Sequence, residues 1–364
     1  MTGALRQFVM KVHGRCDLAC DYCYVFTGAD QRWRGRPPAM SAETAAAAVT
    51  RIAEHVRAHA LDSVEIVLHG GEPLLAGPAF IDFLAADARA RIPAAVRITA
   101  QTNGMRLDRA FLELFGEHGI RVGISVDGDA AAHDRHRRTA RGRGSHDRVR
   151  AAVDLVSGPE FRDLFAGLLC VVDLANDPVD TYRALAAFDP PAIDFLLPHG
   201  TWAAPPPGRA GGGTPYADWL IAVFDHWYAD PGPGVRFFDA VTALWLGGGS
   251  LVEGLGTDAS PQVVIETDGT LERSDILAVA YPGAGATGLS VHTDPLDAVL
   301  PLPVSPPSST CVACPVFAVC GGGQPAHRYA PGTGFDNPSV YCPDLLRFTT
   351  HVRSRIAAGL GGPR

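Results

Sequence analysis

The eight cysteines of this 364-residue chain are the residues best suited to chemistry, and they are clustered. Cys16, Cys20 and Cys23 stand near the N-terminus at a CxxxCxxC spacing, Cys170 stands alone, and Cys311, Cys314, Cys320 and Cys342 gather near the C-terminus. Such clustering in a long chain without an apolar export signal points to metal sites before a disulfide framework. Three thiolates leave a [4Fe-4S] cube one ligand short, and the open iron can take a ligand of its own, as the open position of a catalytic zinc does. The four C-terminal thiolates suit tetrahedral zinc and an iron-sulfur cube equally well. Cys170 lies in the apolar run GLLCVV and reads as core, where free cysteines are commonly buried.

The elements that must carry these residues alternate. Apolar runs at 8–12, 64–68, 96–100, 121–126, 167–172 and 193–197 read as strands, separated by helical patterns over 41–60, 78–91, 108–118, up to 156, and 179–188. A long polar loop is expected over 127–146. Alternation implies an α/β class with parallel pairing and helices outside, and six units fit a partial (β/α)6 TIM-like barrel. In such a fold the chemistry sits on the loops after the strands. The first cysteines follow strand one, His69-Gly70-Gly71-Glu72-Pro73 follows strand two, Gln101-Thr102-Asn103-Gly104 strand three, and Ser125-Val126-Asp127-Gly128 closes strand four. Glycines such as Gly70 and Gly71 allow close backbone approach.

Beyond a Pro/Gly-rich connector (202–213) come two helices, 216–228 and 236–246, whose tryptophans read as packing. A hairpin at 263–266 with the turn Asp268-Gly269, a loop-rich tail and a closing helix over 343–357 complete the chain. The expected division is a barrel at 1–200, connector and bridging helices at 201–255, and a cysteine-bearing domain at 256–364. Apolar residues make up 47%, enough for a sizeable core, while 19% charged residues and a net charge of -8 argue against a general nucleic-acid binder. No apolar stretch is long enough to span a membrane, and a cytoplasmic location is expected.

The CxxxCxxC run, with Tyr22 before its last cysteine, resembles the signature of the radical S-adenosylmethionine (SAM) enzymes. The resemblance implies that the open iron chelates SAM and that an electron splits it to a 5'-deoxyadenosyl radical. It places Gly70, Gly71 and Glu72 at the methionine amino group, Thr102 and Asn103 at the ribose or carboxylate, and Ser125 and Arg137 as candidates for the carboxylate. Arg137 ends the run His133-Asp134-Arg135-His136-Arg137, which matches an HDxxR pattern in related enzymes and reads equally as a solvated arginine-rich loop. His69 reads as structural.

The C-terminal cysteines resemble the SPASM domain of peptide-modifying radical SAM enzymes, whose full pattern has seven cysteines and two auxiliary clusters. Ser274 and Gln324 stand at two of those positions, so the resemblance implies one auxiliary [4Fe-4S] cluster on Cys311, Cys314, Cys320 and Cys342. Asp275 follows Ser274, where an aspartate of the related sulfatase-maturing enzymes takes a proton from substrate; it could equally cap a turn or pair with Arg273. Together KVHGRCDLACDYCYV, LHGGEPLL, QTNG, SVDGD, CGGGQPAHRY and GFDNPSVYC resemble the FxsB-type cyclophane-forming peptide maturases, from Phe8 to about Val352. The function implied is a crosslink between an aromatic ring carbon and the Cβ of a nearby residue in a ribosomal precursor peptide, with an external electron donor of flavodoxin or ferredoxin type. Alternatives are thioether formation, oxidation of Cys or Ser to formylglycine, and a non-catalytic zinc or electron-transfer protein. No extra N-terminal peptide-binding domain is expected, because strand one starts at about Phe8.

Overall fold

A computed structural model describes residues 3–209, 211–250, 252–257, 262–300 and 306–361. The chain divides into two compact units, one of residues 1–126, 130–168 and 261–303, the other of 127–129, 169–260 and 304–364.

In the first unit, β1 (Gln7–His13), β2 (Ser63–Gly70), β3 (Ala95–Thr102) and β4 (Ile120–Ser125) lie side by side in parallel. Strand β5 (Phe165–Val171) starts in this unit and ends in the other. The period of two decides which side chains face the helices. Even-numbered Phe8, Met10, Ile66, Leu68, Ile98 and Ile124 are buried, each worth about 1.5–3 kcal/mol of burial. Most of the polar residues stand at odd-numbered positions: Gln7 donates to Glu65 at 2.8 Å, and Lys11 lies in register with His69. Gln101 donates to Ser125 at 3.1 Å. One face of the sheet is therefore core, and the other delivers polar groups to the strand ends.

The helix Ala42–His59 covers the apolar face. Ser41 caps it by accepting from the Thr44 N–H, and Ala45, Ala48, Val49, Ile52 and Val56 make its buried stripe.

In the second unit, β6 (Ala192–Leu196) pairs in parallel with the two-residue β7 (Gly234–Val235). Helices Pro215–Ala229, Arg236–Trp245 and Cys342–Gly361 share a core in which the Phe224 ring lies 5.4 Å from Phe238 and 6.0 Å from Phe348. The tryptophans of the first two helices pack, with Trp245 Nε1 donating to the Thr349 carbonyl at 2.9 Å.

Back in the first unit, the expected hairpin forms from β8 (Gln262–Ile265) and β9 (Thr270–Glu272). β8 also pairs in parallel with β1, and a third strand, β10 (Ala286–Ser290), joins antiparallel to β9. The sequence hid β10 because ATGLS has no apolar alternation.

The stretch 127–146 is not all loop: Ala130–His136 is helical. Its polarity is satisfied internally, Asp134 accepting from the N–H groups of Ser145 and His146 at 2.8 and 2.9 Å while the buried His133 meets Ser145 at 3.0 Å. No helix among the described residues is long and apolar enough to cross a membrane.

Candidate active site

The loop after β2 holds the loop after β1. Gly71 N–H donates to the His13 carbonyl at 2.8 Å and Glu72 N–H to that of Arg15 at 2.9 Å, fixing the backbone just before Cys16. A Cβ on Gly71 would stand 2.5 Å from the Arg15 oxygen and 2.8 Å from the Phe26 ring, and Gly70 has φ +140° with the His13 oxygen 2.2 Å from where its Cβ would be. Both glycines serve close approach, here to the entry of the cysteine loop.

Glu72 is fully buried. Its Oε1 accepts from Leu74 N–H at 3.0 Å and from the Thr102 hydroxyl at 2.7 Å, and its Oε2 accepts from Asn103 N–H at 2.8 Å. Burial pushes its carboxyl up to about 7 against the pull of these donors. Asn103 Nδ2 passes the brace on, donating to Asp17 Oδ1 at 2.8 Å and Cys16 Sγ at 3.4 Å.

Cys16 Sγ also accepts from Leu18 N–H at 3.4 Å, and Cys23 sits at the head of a four-residue helix, Tyr24–Thr27, with the N–H groups of Val25 and Phe26 aimed at it. The segment after Ala130–His136 closes the other side: Ala19 N–H donates to the Arg138 carbonyl, His136 pairs with Asp21 at 2.9 Å, and Arg137 donates to the Tyr22 hydroxyl at 2.9 Å. All eight cysteines are free of disulfides. Burial pushes the Cys16 thiol up to about 12 and raises that of Cys23, so neither becomes an anion at neutral pH without added positive charge. A metal cluster supplies that charge, and N–H groups already aimed at sulfur are what cluster thiolates take, so the donor set fits.

Asp275 opens the turn Asp275–Val279 beside this loop. The Tyr24 hydroxyl donates to its Oδ2 at 2.7 Å, with Lys11 Nζ at 3.7 Å and His69 Nδ1 at 3.8 Å. Lys11 is the only lysine in the sequence. It is buried and pairs with Glu266 at 2.7 Å, Glu266 meets Arg36 at 3.1 Å, and Arg36 reaches Glu272 at 2.7 Å. Burial pulls the lysine down, but Glu266 and Asp275 outweigh it and raise it, keeping the ammonium charged. Burial lowers His69, which stays neutral at pH 7. Lys11, Gly70, Gly71, Glu266 and Asp275 line one pocket.

Direct contacts thus join Cys16, Glu72, Thr102 and Asn103 in one set and Tyr22 and Arg137 in another, while Ser125 is held as the partner of Gln101. Arg273 donates to the Ala284 carbonyl. Sequence reasoning missed Asp17, Tyr24 and Lys11; Lys11 carried a signal, its odd position on β1.

The second unit holds the other four cysteines. Ser308 accepts from Cys311 N–H at 3.4 Å, Cys320 ends the helix Phe317–Cys320, and Cys342 begins the helix Cys342–Gly361. Burial pushes Cys320 up to about 12, and Cys342, Cys311 and Cys314 add to the rise, so the four sulfurs share one environment. Two residues past Cys342, the buried Asp344 accepts from the N–H groups of Tyr216 and Ala217 at 3.0 Å and pairs with Arg209 at 3.0 Å, fixing this helix start. Gln324 packs on Gly254, whose Cβ would stand 2.5 Å from its Cγ. Among the described residues, neither cysteine set brings three sulfurs within 4.8 Å of one another. Tetrahedral zinc, with Zn–S bonds of about 2.3 Å, draws its sulfurs to about 3.8 Å.

Residues 10–172 match the radical SAM superfamily model. Over 335 residues the chain is 28% identical to a serine-type anaerobic sulfatase-maturating enzyme of Klebsiella aerogenes, spanning 87% of this chain and 78% of that one. It is 27% identical to a cysteine-type anaerobic sulfatase-maturating enzyme of Clostridium perfringens (strain 13 / Type A), covering 71% of each. A solved structure described as native anSMEcpe with bound AdoMet and Cp18Cys peptide superposes with a TM-score of 0.80 at 21% identity, covering 97% of this chain and 98% of that one. The α/β fold with a parallel sheet expected from the alternating elements is the fold observed, and that solved structure shares it.

Proposed function

We propose that this chain is a radical SAM enzyme that modifies a peptide or protein side chain at its Cβ, and that the outcome is oxidation of a Ser or Cys residue to formylglycine. The observation that carries the reading is Asp275, a carboxylate held by Tyr24 directly beside the Cys16–Cys23 loop. The sulfatase-maturating relatives support oxidation over the cyclophane crosslink expected from the sequence. Cys16, Cys20 and Cys23 would hold a [4Fe-4S] cluster and Cys311, Cys314, Cys320 and Cys342 a second, together supplying reductive SAM cleavage to a hydrogen-abstracting radical and an acceptor for the electron released. Glu72, Thr102 and Asn103 keep the SAM-side loops rigid, Tyr22 and Arg137 close the cysteine loop, and Asp275 Oδ2 takes the substrate proton.

A crosslinking outcome shares these steps up to the carbon radical. It is favoured by the C-terminal motif resemblance and by Ser274 and Gln324 standing at cysteine positions of the full SPASM pattern.

Co-expression with peptides encoded beside the gene, followed by mass spectrometry with and without a hydrazide, separates the readings. A trapped aldehyde at a former Ser or Cys is expected. Loss of two hydrogens with a ring-linked fragment and no trapped carbonyl replaces oxidation by crosslinking. Reconstituted protein that yields no 5'-deoxyadenosine defeats both.

A further inference from the structure

Outside this site, His55, His59 and Asp297 are the group among the described residues whose ligand atoms, one from each, all lie within 4.8 Å of one another. His55 and His59 are four residues apart on Ala42–His59 and so share a face of its last turn. Asp297 comes from the turn Leu296–Val299, more than two hundred residues away, and packs on them within the same unit. Its Oδ1 lies 2.5 Å from His55 Nδ1 and 2.9 Å from His59 Nε2. The other nitrogen of the buried His55 ring, Nε2, lies 3.1 Å from the Leu5 carbonyl oxygen. A carbonyl accepts only, so that nitrogen carries the ring proton. Nδ1 then faces a carboxylate oxygen, a contact bridged either by a second ring proton or by a metal ion.

We propose that these three side chains form a divalent zinc-class metal site, with His55 Nδ1, His59 Nε2 and an Asp297 oxygen as ligands. Two imidazoles and one carboxylate are an ordinary zinc donor set, and a ligating histidine that donates its other N–H to a backbone carbonyl is the usual outer-shell arrangement. Zn–N and Zn–O bonds of about 2.0–2.1 Å put tetrahedral ligand atoms about 3.3 Å apart, so binding opens the present contacts by less than about 1 Å. The last turn of a helix adds the partial negative charge of its free carbonyls. The Asp297 and His59 side chains are 42% and 32% exposed while His55 is 1%, leaving an entry path and a solvent side for a water ligand. The ion would tie the turn after β10 to the helix covering the core. None of these residues enters the SAM-side machinery, so the inference stands apart from the proposed function.

The test uses protein whose clusters have been reconstituted, so that cysteine sulfur is occupied, equilibrated with zinc sulfate and desalted. Metal analysis should find about one zinc per chain beyond the iron, and zinc K-edge absorption should show nitrogen and oxygen neighbours only. His59→Gln and Asp297→Asn should each weaken zinc retention at least about tenfold while iron content and SAM cleavage stay unchanged, and zinc should raise the melting temperature of wild type alone. Zinc bound equally by wild type and both variants, sulfur in the zinc shell, or no retained zinc in wild type would overturn the proposal.

Discussion

Replacing Glu72 by Gln tests whether a buried carboxylate braces the loops around Cys16. Glu72 is raised from its ordinary 4.5 to about 7, chiefly by burial. The folded state therefore holds this proton more tightly than the unfolded chain. The associated stability is full below about pH 4.5 and lost as pH rises through about 7. A shift of about 2.5 units at 1.36 kcal/mol each is about 3 kcal/mol in all, of which about 2 kcal/mol falls between about pH 5.5 and 8.5. The amide keeps an acceptor for Leu74 and Thr102 but turns an NH2 toward the Asn103 N–H, a lost acceptor costing about 1–3 kcal/mol at every pH. Denaturation of wild type and Glu72→Gln across this range should show the variant less stable at the acid end, with the gap narrowing by about 2 kcal/mol at the alkaline end. Parallel curves would refute the reasoning, because then the proton on Glu72 has no part in holding the loop.

Gly71→Ala drives a Cβ into the Arg15 carbonyl and the Phe26 ring, so 5'-deoxyadenosine formation should fall about tenfold or more, and an unimpaired rate would mean the loop entry need not be this close. Lys11→Met strips Asp275 of its nearby ammonium but leaves Glu266 its Arg36 partner; the expected loss is about 2–3 kcal/mol, below the 3–5 of a fully orphaned buried charge, read as a lower denaturation midpoint. Asp275→Asn should keep SAM cleavage while product formation drops about a hundredfold or more, the split expected of a lost base; both rates falling together would make Asp275 structural.

Periodicity and spacing carried the strands, helices and loop positions because each is a local property of the chain. Ser41 before an alanine-rich run and Gly70-Gly71 after β2 are read by looking a few residues ahead. The helix Ala130–His136 escaped because Asp134 and His133 find their partners at Ser145 and His146, and composition does not show a polar group being satisfied. The edge of β1 escaped for a stronger reason. Its neighbour β8 lies about 250 residues on, and nothing in QVVI names the strand it will join.

Lys11 carries the same difficulty into the site. On β1 alone it reads as an isolated basic residue in an apolar strand, an expensive thing to bury. Pairing β8 with β1 puts Glu266 just past the strand end within 2.7 Å and brings Asp275 to 3.7 Å, so the lysine's burial and the carboxylate's placement are two results of one strand pairing. The three cysteines are local and legible, and the acid proposed to work beside them is positioned by contacts spanning most of the chain. A variant that weakens the β1–β8 edge should therefore disturb Asp275 before it disturbs the cysteine loop, whose own braces run to β2, β3 and the segment 136–139.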